Sequence, residues 1–204
     1  MIDKFRSNLI KKLGVNDLKK AETARVGLAG AGGLGSNCAA NLVRTGFKKL
    51  TIVDFDIIDP SNLDRQFYFK DQVGMRKVDA LKINLLRINP GLELKVINKK
   101  INSKNAKELF RDCDIVVECF DRAEYKSMLI GELIGAGKFI VSASGLGGIG
   151  SSDRIKVHRV KNNLTIVGDL KSDISMLPAL SPRVNVAAAK QADVVLEFVL
   201  NKHE

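Results

Sequence analysis

Between a short apolar run, Arg25–Ala29, and a helical pattern, Ser36–Thr45, lies the string Gly30-Ala31-Gly32-Gly33-Leu34-Gly35. It fits G-x-G-x-x-G, and its surroundings give the string its meaning. It follows a strand pattern and opens a helix that Gly46 can terminate, and a second apolar strand, Leu50–Phe55, then carries Asp54 about 20 residues beyond the last glycine. This order defines a βαβ unit, which calls for a parallel sheet. Glycines in such a turn let the backbone approach phosphates and set their charge against helix N–H groups, while a carboxylate at Asp54 accepts hydrogen bonds from ribose hydroxyls. A tight turn that needs glycine for packing alone is the other reading. The turn by itself does not separate a dinucleotide from ATP.

The alternation continues downstream. Lys77–Ile88 places Val78, Leu81, Leu85 and Ile88 at helical spacing and stops before Asn89-Pro90-Gly91. Strand Glu93–Ile97, helix Ala106–Cys113, strand Ile115–Glu118, helix Arg122–Gly135 and strand Phe139–Ala143 follow. The pattern predicts an α/β fold with a Rossmann-like, doubly wound, mainly parallel sheet. Beyond it, Arg154–Val160 and Leu164–Val167 read as an antiparallel extension joined across Lys161-Asn162-Asn163. A last helix is expected to run towards Leu200, with Ser181 as N-cap and Pro182 at the first helical position. Gly168–Leu180 has little pattern and is expected to be mobile. Ahead of the first strand, Met1–Lys20 reads as helical: Phe5, Leu9 and Ile10 keep the spacing, Gly14 interrupts, and Asn16 or Asp17 caps a second short helix. The expected organisation is a lead-in over 1–24 and a single nucleotide-binding domain over 25–204.

Composition supports one core. A chain of 204 residues with 45% hydrophobic content is long enough for one substantial domain and short for two. Its apolar runs, such as Asp114–Cys119, fall well below the roughly 20 residues of a membrane span, and Met1–Lys12 has no signal-peptide core, so the expectation is a cytoplasmic protein with no membrane partner. Cys38, Cys113 and Cys119 with His158 and His203 make no Cys-x-x-Cys pair, which argues against zinc and for buried thiols. The net charge of +10 is spread along the sequence and gives no basic tract for nucleic acid. It suits a nucleoside triphosphate or an acidic protein equally.

After Asp54 come Asp56, Asn62, Arg65 and Gln66, then Gly74-Met-Arg-Lys77, where a dehydrogenase would carry its next helix. A solvated loop would explain these charges on spacing alone. In order, however, G-x-G-G-L-G, D-F-D, S-N-L-x-R-Q, G-x-x-K-V, R-I-N-P and a strand leading into Glu118-Cys-Phe-Asp121 resemble the ThiF/MoeB/HesA family, relatives of the ubiquitin-activating enzymes. The resemblance runs from about Arg25 to Leu200, includes Ala143-Ser-Gly and Ser181-Pro-Arg-Val, and looks closest to the short ThiF type that adenylates the thiamine-pathway sulfur carrier.

The resemblance implies a role for each of these residues. Gly30, Gly32, Gly33 and Gly35 surround the phosphates of ATP, and Asp54, with Asp56 beside it, binds the ribose end. Asn62, Arg65 and Lys77 contact the triphosphate, Gln66 supports them, and Asp121 holds Mg2+. Arg6 is the candidate for an arginine that reaches into the partner's site of a homodimer. The implied partner is a small ubiquitin-like sulfur carrier ending in Gly-Gly. Its terminal carboxylate is already ionised near neutral pH and attacks the α-phosphorus directly, so no Ser, Cys or His nucleophile is needed. For Asp121 an ordinary helix N-cap is the competing role. Larger relatives add Cys-x-x-Cys zinc motifs and a cysteine in the crossover segment. Here no cysteine follows Cys119, which implies adenylation without a covalent carrier link. The alternatives are activation of a modified tRNA base, a nicotinamide-dependent oxidoreductase and a nucleotide sensor.

Overall fold

A computed structural model of the chain describes residues 4–201. His203 lies outside them. Helices α1 (Lys4–Leu13) and α2 (Val15–Thr23) lead into β1 (Arg25–Ala29), α3 (Gly33–Arg44) and β2 (Lys49–Asp54). Then follow α4 (Lys77–Ile88), β3 (Glu93–Asn98), α5 (Ala106–Leu109), β4 (Ile115–Glu118), α6 (Ala123–Leu133) and β5 (Phe139–Ala143). The hairpin β6 (Lys156–Lys161) and β7 (Leu164–Gly168) precedes α7 (Ser181–Leu200).

The seven strands form one sheet in the order β3-β2-β1-β4-β5-β7-β6. All neighbours are parallel except the β6–β7 pair. β4 and β5 are Val/Ile-rich and buried along their whole length, as strands covered on both faces must be. β3 alternates instead, in keeping with its edge position. One core joins the sheet to α3, α4 and α7, with Leu42, Val43, Leu81, Leu85, Ala188 and Val195 buried in it. The other lies under α5 and α6, around Phe110, Leu129 and Leu133. There Phe110 presses against β1 so closely that a Cβ on Gly27 would stand 2.5 Å from its ring. The chain runs from β1 to β2 on one side and returns to β4 on the other, so the carboxyl ends of β1 and β4 part at a topological switch point.

The α/β class and the mainly parallel sheet agree with the sequence expectation, while several local details differ. The second helix starts at Val15 with Gly14 as its N-cap, so Asn16 and Asp17 lie inside its first turn. The helix expected over Ala106–Cys113 ends at Leu109, because Phe110 turns inward to fill the core and the chain closes with Cys113 N–H donating to the Phe110 carbonyl. Ser181 is not the last cap either: Leu180 holds that place, and Ser181 Oγ accepts from Asn185 Nδ2 in the first turn. The first strand of the hairpin begins at Lys156, since Ser152–Arg154 form a 3₁₀ turn. The segment 169–180 contains no helix or strand, but Asp169 ties down its start by accepting from the Lys171 and Ser172 amides and from Arg183.

Candidate functional site

At the switch point a cleft of about 770 Å³ opens along the carboxyl ends of β1, β2, β4 and β5. Its floor is the glycine turn. Gly30 has φ +111°, a conformation that needs glycine, and its N–H donates to the Val53 carbonyl of β2. Gly32 and Gly33 face the space; a Cβ on Gly32 would meet nothing nearer than Gln66 Nε2 at 3.9 Å. Gly35 is different, because its Cβ would stand 1.9 Å from the Gly30 carbonyl oxygen, and it does not line the cleft. Gly32 therefore leaves room for a ligand, Gly33 lines the cleft with its Cβ position already 3.0 Å from Val184 Cγ1, and Gly35 lets the turn close on itself.

Asp54, at the end of β2, accepts from the Ala31 N–H at 2.6 Å and the Asp56 N–H at 2.8 Å. Burial raises its pKa above the ordinary carboxylate value, opposed by those two amides and the nearby Lys77. Lys77, the first residue of α4, is buried and pairs with Asp56 at 2.8 Å. Asn62 closes a short 3₁₀ turn, its Oδ1 accepting from the Asp59 N–H while Asp59 accepts from Ser61. Arg65 pairs with Asp64 at 2.6 Å and keeps 30% of its side chain exposed on the cleft wall. Gln66 Oε1 is buried without a hydrogen-bond partner, an acceptor that a ligand hydroxyl would satisfy.

Asp121 lies in the turn between β4 and α6 and is exposed to the same space. It does not cap the helix: Arg122 occupies that position. Gly30, Gly32, Gly33, Asp54, Asp56, Asn62, Arg65, Gln66, Lys77 and Asp121 thus share one cleft. Arg6 does not line it. Its Nε and Nη2 donate to both oxygens of Glu22 in the same chain, at 2.7 and 3.1 Å.

All three cysteines are buried and free. Cys119 reaches the cleft, yet burial pushes its thiol well above the usual range, with the neighbouring Cys38 and Glu118 adding to the effect.

Other cleft residues carry no motif. Lys99, Lys100 and Lys171 add positive charge to the wall, with Lys100 Nζ 5.7 Å from the Phe55 ring centroid and 5.5 Å from that of Tyr125. Tyr68 Oη donates to the Ala31 and Lys77 carbonyls, fastening the glycine turn to the start of α4. One signal could have found most of them. In a parallel sheet the residues just after each strand meet the ligand, and Lys99-Lys100 follow β3 as Asp121 follows β4 and Ser144-Gly145 follow β5.

With this geometry in view, the model of the ThiF family matches residues 5–203. The chain belongs to the ThiF family. The adenylyltransferase and sulfurtransferase UBA4 of Eremothecium gossypii is 36% identical over 135 residues, which is 66% of this chain and 30% of that protein. The molybdopterin-synthase adenylyltransferase of Haemophilus influenzae is 33% identical over 125 residues, or 61% of this chain and 51% of that one. The matches therefore span about a third to a half of the length of these relatives. Among solved structures, E. coli tRNA N6-threonylcarbamoyladenosine dehydratase, TcdA, in complex with ATP has a TM-score of 0.82 at 21% identity, covering 96% of this chain and 92% of that one. E. coli MccB with AMPCPP and MccA has a TM-score of 0.76 at 22% identity, covering 100% and 65%. At these identities the structural likeness establishes the fold of this ThiF-family chain.

Proposed function

We propose that this chain uses ATP to adenylate the C-terminal glycine carboxylate of a small ubiquitin-like sulfur carrier in thiamine biosynthesis, releasing pyrophosphate, and that it acts as a homodimer in the cytoplasm. The observation that carries the reading is the gathering of Arg65, Lys77 and Asp121 around an open glycine turn, in a cleft whose lining cysteine, Cys119, has its thiol pKa raised by burial. A carboxylate substrate supplies its own nucleophile. One carboxylate oxygen forms a bond to the α-phosphorus, the bond from that phosphorus to the bridging oxygen breaks, and pyrophosphate leaves with the electron pair. The protein's part is alignment and neutralisation of charge.

Each residue has a part in that scheme. The backbone of Gly30, Gly32 and Gly33, which line the cleft, and the N-terminus of α3 cradle phosphate oxygens. Asp54 receives a ribose hydroxyl, and its two backbone hydrogen bonds fix the carboxylate for this purpose. Lys77 and Arg65 meet negative charge on the triphosphate, each released from its present carboxylate partner, and Asn62 and Gln66 line the same wall. Magnesium suits the donor set, because Asp121 offers a hard oxygen to the cleft and no group of three or more acidic, His or Cys side chains converges among the described residues. Mg2+ is held in this manner by one or two carboxylates with substrate phosphates and water. Its charge would stabilise the leaving pyrophosphate.

ATP–pyrophosphate exchange measured with and without a Gly-Gly-terminated carrier tests the proposal. Exchange should depend on the carrier and fall about 100-fold or more in Lys77→Ala or Arg65→Ala. Exchange that ignores the carrier and instead requires tRNA would overturn it in favour of activation of a modified base.

A further inference from the structure

Below the loop that presents Asp121 lies a charged cluster to which the reading above gives no role. Glu118, the last residue of β4, is 0% exposed. Its Oε1 accepts from the Phe120 N–H at 2.6 Å, and both carboxylate oxygens accept from Lys126 Nζ at 3.1 Å. Oε2 also accepts from Ser142 Oγ on β5 at 2.6 Å. Even the backbone is engaged, since the Glu118 carbonyl accepts from Gln191 Nε2 of α7.

A carboxylate removed from water at this depth is costly, and a well-packed apolar residue is often at least as stable in such a place. What the cluster provides is geometry. Lys126 belongs to the second turn of α6, so the Glu118–Lys126 pair spans the whole β4–α6 connection from beneath, and the bond to the Phe120 amide fixes the residue next to Asp121. Ser142 anchors the same carboxylate to the neighbouring strand. Asp121 itself has no such support, as it is exposed and its backbone precedes the first turn of the helix. Lys126 lines the cleft with only 18% of its side chain exposed and both its hydrogen bonds directed at Glu118, which makes it part of this support rather than a free cation for phosphate.

We propose that Glu118 is a positioning residue for magnesium and ATP: with Lys126 and Ser142 it braces the loop 119–122 so that the Asp121 carboxylate is held at the cleft in the orientation a phosphate-bound cation requires. The inference rests on the proposed role of Asp121. Support of this kind beneath a metal-binding carboxylate typically changes metal affinity 10- to 100-fold when removed.

ATP binding to the full-length protein, measured by calorimetry with Mg2+ and with EDTA, tests it without any carrier. Glu118→Gln keeps the size of the side chain but leaves Lys126 without a counter-charge. The gain in ATP affinity on adding Mg2+ should shrink about tenfold or more, with affinity in EDTA within about twofold of wild type. Glu118→Asp shortens the carboxylate by one methylene and should lose the same gain. Adding Lys126→Arg, whose longer fork spans the gap, should restore it, and this rescue also keeps the test decisive if Glu118→Gln fails to fold. An unchanged magnesium gain in Glu118→Gln, an equal loss with and without Mg2+, or no rescue by the Asp/Arg pair would overturn the inference. Asp121→Asn serves as the reference. If it keeps the magnesium gain, the role proposed for Asp121 fails. If it loses the gain while Glu118→Gln keeps it, only the brace fails.

Discussion

Single atoms decide which glycines serve the ligand and which serve the fold. A methyl group at Gly35 would collide with a backbone carbonyl at 1.9 Å, and neither partner can move without opening the turn. Gly35→Ala is expected to cost about 3 kcal/mol in urea unfolding, at the upper end of ordinary overpacking. Gly32→Ala makes the contrast, because its φ of −77° suits alanine and its Cβ would project into the cleft. It should leave stability within about 0.5 kcal/mol of wild type while weakening ATP binding about tenfold. If the two variants behaved alike, the division between packing and binding glycines would fail. The motif string could not make this distinction, since it writes both positions with the same letter. Glu118 was hidden for a related reason: a charge at the end of an apolar run reads as a strand boundary, and the pattern does not reveal that Lys126 and Ser142 fold in beneath it.

At the scale of elements, the long periodic segments were the readable ones. The span Lys77–Ile88 came out unchanged because apolar spacing and the Asn89-Pro90-Gly91 stop agree. The end of α5 was not legible, because Phe110 continues the helical spacing while its ring is claimed by the core against Gly27. Nor could pattern place β7 beside β5, since a parallel partner is chosen by the space the sheet leaves, not by local sequence. Helix α1 shows how little full burial an element needs when charge fastens it. α1 buries no residue, yet Arg6 reaches Glu22 of α2, and Lys48, just before β2, pairs with the same carboxylate at 3.0 Å. The Arg6 hydrogen bond outweighs partial burial, and Lys48 adds to it, so the Glu22 pKa lies below its ordinary 4.5. A depressed carboxylate stabilises the fold above its unfolded pKa, and the contribution is lost as pH falls through the folded value. The difference in melting temperature between pH 7 and about pH 3.5 should therefore be smaller in Glu22→Gln than in wild type, with the variant less stable at pH 7. An identical pH dependence in the two proteins would show that this clamp contributes nothing to holding α1.

At the scale of the molecule, the position of Arg6 bears on the proposed homodimer. It sits on a helix with no buried residue, away from its own cleft, and is paired with Glu22. An arginine so placed can serve a site only if a second copy brings its cleft to α1 and the Glu22 contact yields to the phosphates. Two variants that each break a different half of one composite site then separate this arrangement from self-sufficient subunits. Arg6→Ala would damage the partner's site and Lys77→Ala would damage its own, so each homodimer should exchange pyrophosphate poorly. In an equimolar mixture allowed to re-assort, half of the dimers carry one of each chain. Each such dimer has one cleft lacking both groups and one cleft intact, so activity should return to about a quarter of the wild-type rate. If each subunit instead used its own Arg6, every cleft in the mixture would stay broken and no activity would return. If Arg6→Ala alone kept full exchange, the arginine would belong to the α1–α2 clamp and to nothing else.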